Sequence, residues 1–522
     1  MKNRFILLLL GSFLFSCTDK FLEINTNPNN PEDVPSINIL TWVQREYCNQ
    51  MGGVWLNYNE SSSMSGHVTK IAYIDETRYQ IRPGTVSSMF DYPYSRFGAN
   101  LNKIIEKESE AGGNRNMIAV AMIFKAMVFQ VLTDHLGDVP YSEAFKSGEG
   151  ILFPKYDAQK DIYADLIKQV QDAVAMIDVS SRIGSGDMLF GGDMAKWKKF
   201  GNSLLLRMAI RLSYVETSVA QSIISGLLSN PANVMENNSD NCIFNWPGAP
   251  YSEPLAAAEV SRKDYGMADV IVTVLKELED PRLPVYAAPA PSPDAENGIY
   301  KGMPIGISRA MSGMAEYGPN TISPVGARYR NTQSPYSGIT VLMRYSEVEF
   351  IKAEAYERGL ASGDAMAAYE RGIKASIEEN GANGANEYLL QDMVDYNNAE
   401  LPMLWWASEE GTRSVPELNS CANPTVADNV KLQKIAYQKW IALFTQGPEA
   451  WAEMRRTDIP VIGPAIGRTT VEKDHNRAPF RFPYAINTEK DYNPEHFKAA
   501  LAKTEDYYWG EKMYWDVRVG VQ

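Results

Sequence analysis

Apolar residues recur at spacings of three and four along this chain, and that periodicity constrains its fold more than any other feature. In Ile162-Tyr163-x-x-Leu166-Ile167-x-x-Val170-x-x-Ala173-Val174-x-x-Ile177 they fall on one face of an amphipathic helix, with Asp157 as the expected N-cap. Asn116 to Leu136 is apolar nearly all round, which predicts a buried central helix. Lys125 and Gln130 interrupt that run and argue against a membrane span. Lys196 to Leu212 follows Asp193, a second cap candidate. After Arg344, residues Tyr345, Val348, Ile351 and Ala355 share one face. A turn follows around Gly363, and a second helix carries Ala365 and Tyr369. Two helices and a turn within ~34 residues match a tetratricopeptide-type unit. The helix after Asn429, with Ile435, Trp440 and Leu443, and a short one at Glu449 to Arg455 predict a further pair. Strand alternation is confined to short candidates such as Asp240 to Trp246.

Between Trp246 and Thr340 the texture changes. This stretch holds 12 of the 29 prolines and nine glycines, Pro289-Ala290-Pro291-Ser292-Pro293 being the most broken part, so regular helix is excluded. A loop region of this length is more often functional than idle. Beyond Asp458 the chain is again rich in Pro and aromatics. The expectation is a mainly α fold, a tetratricopeptide-like helical-repeat scaffold with a large irregular loop-rich insertion. Its helical regions are set at 34–230 and 341–456, the insertion at 246–340, and a loop-rich C-terminal segment at 457–522.

A formal net charge of −14 argues against sequence-independent nucleic-acid binding, which needs clustered Lys and Arg. With 10 Trp, 28 Tyr and 18 Phe the chain is too aromatic for a solvated acidic tail, so it folds. At the start, Lys2 and Arg4 precede an apolar run from Phe5 to Phe15. That run is too short for a bilayer span of ~20 residues and fits a secretory h-region. It ends in Phe15-Ser16-Cys17, which resembles a bacterial lipobox. Residues 1–16 then read as a lipoprotein signal peptide, Cys17 as the lipidated residue, and 17–33, through Asn25-Thr26-Asn27-Pro28-Asn29-Asn30-Pro31, as a tether. Several acyl chains of the palmitate class on Cys17 hold a protein on a membrane where one chain binds only marginally. Cys48, Cys242 and Cys421 remain, with no C-x-x-C pair, and read as buried free thiols rather than a disulfide framework.

The search for chemistry is negative. His67, His135, His475 and His496 form no H-E-x-x-H or i, i+4 pair, so no metal site is expected. There is no G-x-S-x-G elbow and no phosphate-binding G-x-x-x-x-G-K-[ST] loop. Gly184-Ser185-Gly186 lacks the further Gly of a dinucleotide fingerprint, and Asn25 to Asp33 lacks the ligand pattern of a calcium loop. Carboxylate pairs for glycoside hydrolysis carry no information among 64 acidic residues. No catalytic residue and no cofactor are assigned.

Several motifs, in order along the chain, resemble the SusD/RagB family of surface lipoproteins of Bacteroidetes, in its SusD-like branch. They are Gly137-Asp138-Val139-Pro140-Tyr141-Ser142-Glu143-Ala144, Phe153-Pro154-Lys155-Tyr156-Asp157, Trp197 to Arg207 and Asp280-Pro281-Arg282-Leu283. Arg344 to Ala355, Gly447-Pro448-Glu449-Ala450-Trp451, Arg455-Arg456-Thr457 and Arg481-Phe482-Pro483-Tyr484 complete them. The resemblance makes 34–522 one SusD-like domain whose irregular part is the ligand-binding half. It implies a lipid-anchored, surface-exposed outer-membrane protein that is a binder and not an enzyme. Such a protein captures glycans and delivers them to a SusC-like TonB-dependent transporter. The alternative it leaves open is a peptide-binding lid of the RagB type. A pure adaptor and a glycoside hydrolase are remoter readings. The motif residues themselves read as structural, with Asp138 and Glu143 flanking a turn and Arg344, Glu347 and Glu354 capping or pairing at helix spacings.

Flat rings offer sugars a large amphipathic surface. The candidates are therefore aromatics of irregular segments: Trp55, Tyr79, Tyr92, Trp246, Tyr251, Tyr300, Tyr317 and Tyr336. The family pattern points to the stretch Phe90 to Tyr94 and to the loop before Arg344.

Overall fold

The computed structural model describes residues 34–522 apart from 81, 111, 293–297, 403–404, 409–410, 415–420, 466, 468–474 and 505–508. Cys17 and the tether lie outside the described residues. The longer helices are α1 (Ser36–Met51), α2 (Pro83–Tyr92), α3 (Ala99–Glu108), α4 (Arg115–Leu136), α5 (Gln159–Met176), α6 (Met194–Leu212) and α7 (Thr217–Leu228), then α8 (Tyr345–Glu357), α9 (Ala365–Glu379), α10 (Val430–Ala442) and α11 (Gly447–Thr457). Helix α4 packs between α3 and α5, α5 on α6, and α6 on α7 and α8. Helix α8 then lies against α9 and α10. This is the expected mainly helical fold. The described strands form four two-stranded antiparallel pieces and no extended sheet.

Local chemistry sets the helix limits. Asn114, Asp193 and Asn429 each accept two backbone N–H bonds at the start of α4, α6 and α10, as N-caps do. Helix α4 is buried almost throughout, with Phe124, Phe129 and Leu132 in the core, and Lys125 donates to Asn102 Oδ1 at 2.8 Å. Asp157 is not the cap of α5. It lies in the strand Tyr156–Asp157, and its carboxylate accepts from the N–H groups of Tyr141 and Ser142, at 3.2 and 2.7 Å. The turn that Asp138 and Glu143 flank does form. Asp138 accepts from Gln159 N–H at 2.9 Å and Glu143 from Lys155 N–H at 2.9 Å, so the two carboxylates fasten the turn to the start of α5.

The remaining motif residues pair mainly across helices, and Glu354 also along its own as the helix spacing predicts. Glu347 on α8 takes a two-pronged bond from Arg207 on α6, both arms at 2.7 Å and both side chains buried. Glu354 is held by Arg456 on α11, at 2.7 Å, besides its own-helix partner Arg358 at 2.9 Å. Arg344 reaches Glu379 on α9 at 2.9 Å and donates to the Phe444 carbonyl at 3.0 Å. Helix spacing cannot show these partners, because tertiary packing supplies them. The Gly447-Pro448-Glu449-Ala450-Trp451 motif is equally physical. A Cβ on Gly447 would lie 2.6 Å from the backbone N of Ser62, Pro448 takes the first turn, Glu449 pairs with buried Arg211, and Trp451 is fully buried.

The stretch 246–340 is not free of regular helix as its proline content suggests: Pro254–Glu259, Asp269–Glu277 and Leu283–Tyr286 form there, because prolines sit at the first turns and none falls between 255 and 280, and Ile486–Tyr492 and Pro494–Leu501 form near the C-terminus. The loop 71–79 and the segment 300–322 share a small apolar cluster of Ile71, Ile74, Met303, Ile307, Met311 and Ile322, closed by an Arg309–Asp75 pair at 3.1 Å. Cys48, Cys242 and Cys421 are free thiols, the first two buried and Cys421 partly so.

Candidate functional site

The eight candidate aromatics separate by burial. Trp246 closes the strand Cys242–Trp246, where Cys242, Phe244 and Trp246 point inward together, and its indole N–H donates to Thr340 Oγ1 at 2.9 Å. Tyr79 is buried as well, its hydroxyl accepting from Ala465 N–H at 2.7 Å and its ring edge-on to Trp509. These two pack the fold and offer no free ring face. Tyr300 is partly buried against the main core, and Tyr317 rests on the small apolar cluster. Tyr336, partly buried, sits at positive φ in the loop before Gly338–Met343, where its carbonyl accepts from Glu253 N–H at 2.9 Å.

The exposed rings Trp55 and Tyr251, and the partly buried Tyr92, share one arrangement, a guanidinium laid on the ring. Trp55, 49% exposed at the start of the π-helix Val54–Ser61, carries Arg82 at 5.1 Å from its ring. Tyr251, 50% exposed, carries Arg45 at 4.8 Å, and Tyr92 carries Arg96 at 3.9 Å. Glu46 ties these last two together, pairing with Arg45 at 2.6 Å and Arg96 at 3.3 Å. Tyr251, Arg45, Glu46, Arg96 and Tyr92 thus form one chain across α1, two rings joined through three charges. Sequence reasoning missed a fourth ring, Tyr73, which is 60% exposed with Arg262 at 4.8 Å. Nothing in the sequence around Tyr73 distinguishes it from a packing tyrosine. An arginine stacked on one face fixes a ring's orientation while half of the side chain stays in solvent. Such a ring keeps one oriented apolar face in solvent with guanidinium donors beside it, a geometry that suits stacking on an apolar ligand face.

Beneath Trp55 the same π-helix buries Glu60. Burial, and then the Glu76 charge, push its carboxyl up to about 8, and its Oε2 has no hydrogen-bond partner. Glu76 itself is held by Lys70, at 2.9 Å, and Arg82. The folded state therefore binds a proton at Glu60 that the unfolded chain, with an ordinary carboxyl, releases above about 4.3. Stability from this group is fully present below about 4.3, is lost progressively as pH rises, and is gone once pH passes about 8. The thermal midpoint is expected to fall between pH 5 and 8 through this group, and Glu60→Gln to flatten that slope. Thermal melts of both proteins across this range check it, and equal slopes would contradict the assignment.

The SusD-like family model, described as starch-binding and associating with the outer membrane, matches residues 28–485. No curated protein matches the chain. Among solved structures, a chitin-binding SusD homologue from Flavobacterium johnsoniae superposes with a TM-score of 0.74 at 25% identity, covering 92% of this chain and 97% of that one. A SusD homologue from Bacteroides uniformis gives 0.76 at 23% identity, over 93% and 100% of the two chains. One from Bacteroides thetaiotaomicron gives 0.75 at 24%, over 93% and 99%. With the family model covering most of its length, this chain belongs to the SusD-like branch of the SusD/RagB family.

Proposed function

We propose that the protein captures glycans at the cell surface and passes them to a SusC-like TonB-dependent transporter, acting as a binder and not as a catalyst. The observation that carries the glycan reading is the set of half-exposed rings, each steadied by an arginine, on Trp55, Tyr251 and Tyr73. Buried packing does not require them. The family description and the chitin-binding homologue agree with this chemistry. Each stacking contact contributes ~1 kcal/mol, so a few rings alone give roughly millimolar affinity, and anything tighter needs hydrogen bonds as well. A glycan array probed with the purified mature protein tests the reading. Binding of neutral oligosaccharides supports it, and a response confined to peptides would replace it with the peptide-lid alternative.

The transporter enters because a lid has no channel of its own. The described helix long and apolar enough to cross a membrane, Arg115–Leu136, is mostly buried inside the fold. We expect stable co-purification with a TonB-dependent barrel, contacted through the helical face, from native outer membranes in mild detergent. Recovery without a barrel would favour a free-standing binder. Residues 1–16 are read as signal peptide and Cys17 as the anchor, so Cys17→Ala should release the protein from membranes or leave it unprocessed. Lipid labelling and fractionation check this, and unchanged labelling would sink the lipoprotein reading.

A further inference from the structure

One of the stacked rings is fastened to the interior by a buried set of charges. Trp55 and Glu60 share the π-helix Val54–Ser61, the strand Val68–Lys70 brings Lys70 beside them, and the short turn Glu76–Arg78 brings Glu76. Glu76 is fully buried and takes Lys70 Nζ at 2.9 Å on one oxygen and Arg82 Nε on the other. Arg82, half in solvent just before Pro83 of α2, lays its guanidinium over Trp55 at 5.1 Å. The other stacks are held differently. Arg45 and Arg96 lean on Glu46, and Arg262 leans on Asp264, carboxylates that reach solvent. Of the four stacked arginines, only Arg82 is held by a fully buried carboxylate.

Glu60 makes that fastening conditional. Its side chain is buried and its Oε2 has no hydrogen-bond partner. With Asn59, Glu76 and Thr77 it lines a space of about 10 Å³, room for a water molecule and too small for a ligand. The charges that act on it are those of Glu76, Lys70 and Arg82. The titratable groups of the other elements packed there are engaged elsewhere. Tyr265 donates to Asn59 Oδ1 at 2.6 Å, the Tyr79 hydroxyl accepts from Ala465 N–H, and Arg78 donates to the Gly467 carbonyl at 2.7 Å. Arg45 and Glu46 on α1 pair with each other, Glu449 on α11 with Arg211, and Glu259 with Arg330. Glu253 accepts from Leu255 and Ala256 N–H, and Asp91 stands at the far end of α2. Two carboxylates therefore share two cations, and an ionised Glu60 has no donor of its own. A buried carboxylate left unpaired is costly, so its ionisation draws a cation inward. Lys70 is buried and already bound, whereas half-exposed Arg82 has room to turn. We propose that Glu60 is a positioning residue for the Trp55 platform: the proton it carries leaves Glu76 to hold Arg82 on the ring, and loss of that proton withdraws the guanidinium toward the buried pair. Burial and the Glu76 charge set this change at a pH of about 8, with the ring supported below it and released above. The ring's response needs no ligand; only the accompanying fall in affinity rests on the glycan reading above.

The test is fluorine NMR of the mature protein labelled with 5-fluorotryptophan, without ligand, from about pH 6 to about pH 9. Trp55→Phe identifies the Trp55 resonance. In the parent that resonance is expected to titrate with a midpoint of about 8. Glu60→Gln should hold it at the low-pH position throughout, and Arg82→Met at the high-pH position. A resonance that stays still in the parent overturns the proposal. So does one that titrates in Glu60→Gln or in Arg82→Met as it does in the parent. Should Glu60→Gln fail to fold, Arg82→Met, altered at a half-exposed side chain, decides alone. Calorimetry with an N-acetylglucosamine hexamer then reads the consequence for ligand. Its affinity should fall about threefold over the same range, the scale of one cation–π contact, in the parent and not in Glu60→Gln. Constant affinity beside a titrating ring overturns the regulatory step. A hexamer that binds at no pH faults the glycan reading instead, and the ring titration then decides the role of Glu60 by itself.

Discussion

Arg207→Met is expected to destabilise the protein by about 3–5 kcal/mol, the usual consequence of removing one partner of a buried ion pair. Arg207 and Glu347 are both buried and joined by two 2.7 Å bonds, and the arginine also donates to the Leu342 carbonyl at 3.1 Å. Its loss strands a carboxylate between α6 and α8, far from water. Glu449 approaches the same guanidinium only to 3.8 Å and keeps Arg211, so the damage concentrates at Glu347. The pair itself adds little net stability, because desolvating two charges offsets most of their attraction. Arg207→Met combined with Glu347→Leu should therefore recover most of the loss. Urea midpoints for the two singles and the double give the coupling energy. A single variant within about 1 kcal/mol of the parent would mean that Glu347 finds another cation or water. The same logic extends to Arg456, Glu354 and Glu453, where three buried charges meet at the junction of α8 and α11. These pairs set which helices meet and in which register, and so shape the scaffold that holds the binding face.

Much of that scaffold was legible in the sequence, because apolar spacing and capping residues act locally. Asp193 and Asn429 cap the helices they precede, and the run from Ile162 folds as its periodicity requires. The miss at Asp157 has a tertiary cause. Its carboxylate is claimed by the Tyr141–Ser142 turn, leaving Ala158 at the cap position. The long-range partners of Arg344, Glu347 and Glu354 were invisible for the same reason. Trp246 is a different kind of miss, since the information was present. A strand from Cys242 to Trp246 puts those two residues and Phe244 on one face, and two small or apolar neighbours mark that face as inward. Tyr79 could not be placed locally, because the backbone that buries it, at Ala465, comes 386 residues later. Arg82 on Trp55, Arg45 on Tyr251 and Arg262 on Tyr73 come from segments that only the fold brings together, whereas Arg96 stands one turn from Tyr92.

The largest effect on ligand is expected at Trp55. Its ring is half in solvent, so Trp55→Ala should leave the thermal midpoint nearly unchanged while sharply lowering glycan affinity, and Tyr251→Ala should do the same to a lesser degree. Removing the indole deletes a stacking surface and frees Arg82 from its ring, although Arg82 keeps Glu76. Trp246→Ala should behave in the opposite way. It opens a cavity beside Phe244, whose ring lies 4.6 Å away, and leaves Thr340 without its indole donor. Large-to-small changes of this kind cost about 3–5 kcal/mol, with no direct effect on ligand. The central claim, that exposed and arginine-steadied rings hold the glycan, is tested most directly by measuring affinity and thermal midpoint on these variants side by side. The account predicts that Trp55→Ala loses oligosaccharide binding at an unchanged midpoint, whereas Trp246→Ala lowers the midpoint and keeps the affinity of whatever remains folded. A Trp55→Ala protein that melts early and still binds oligosaccharide as the parent does would contradict it.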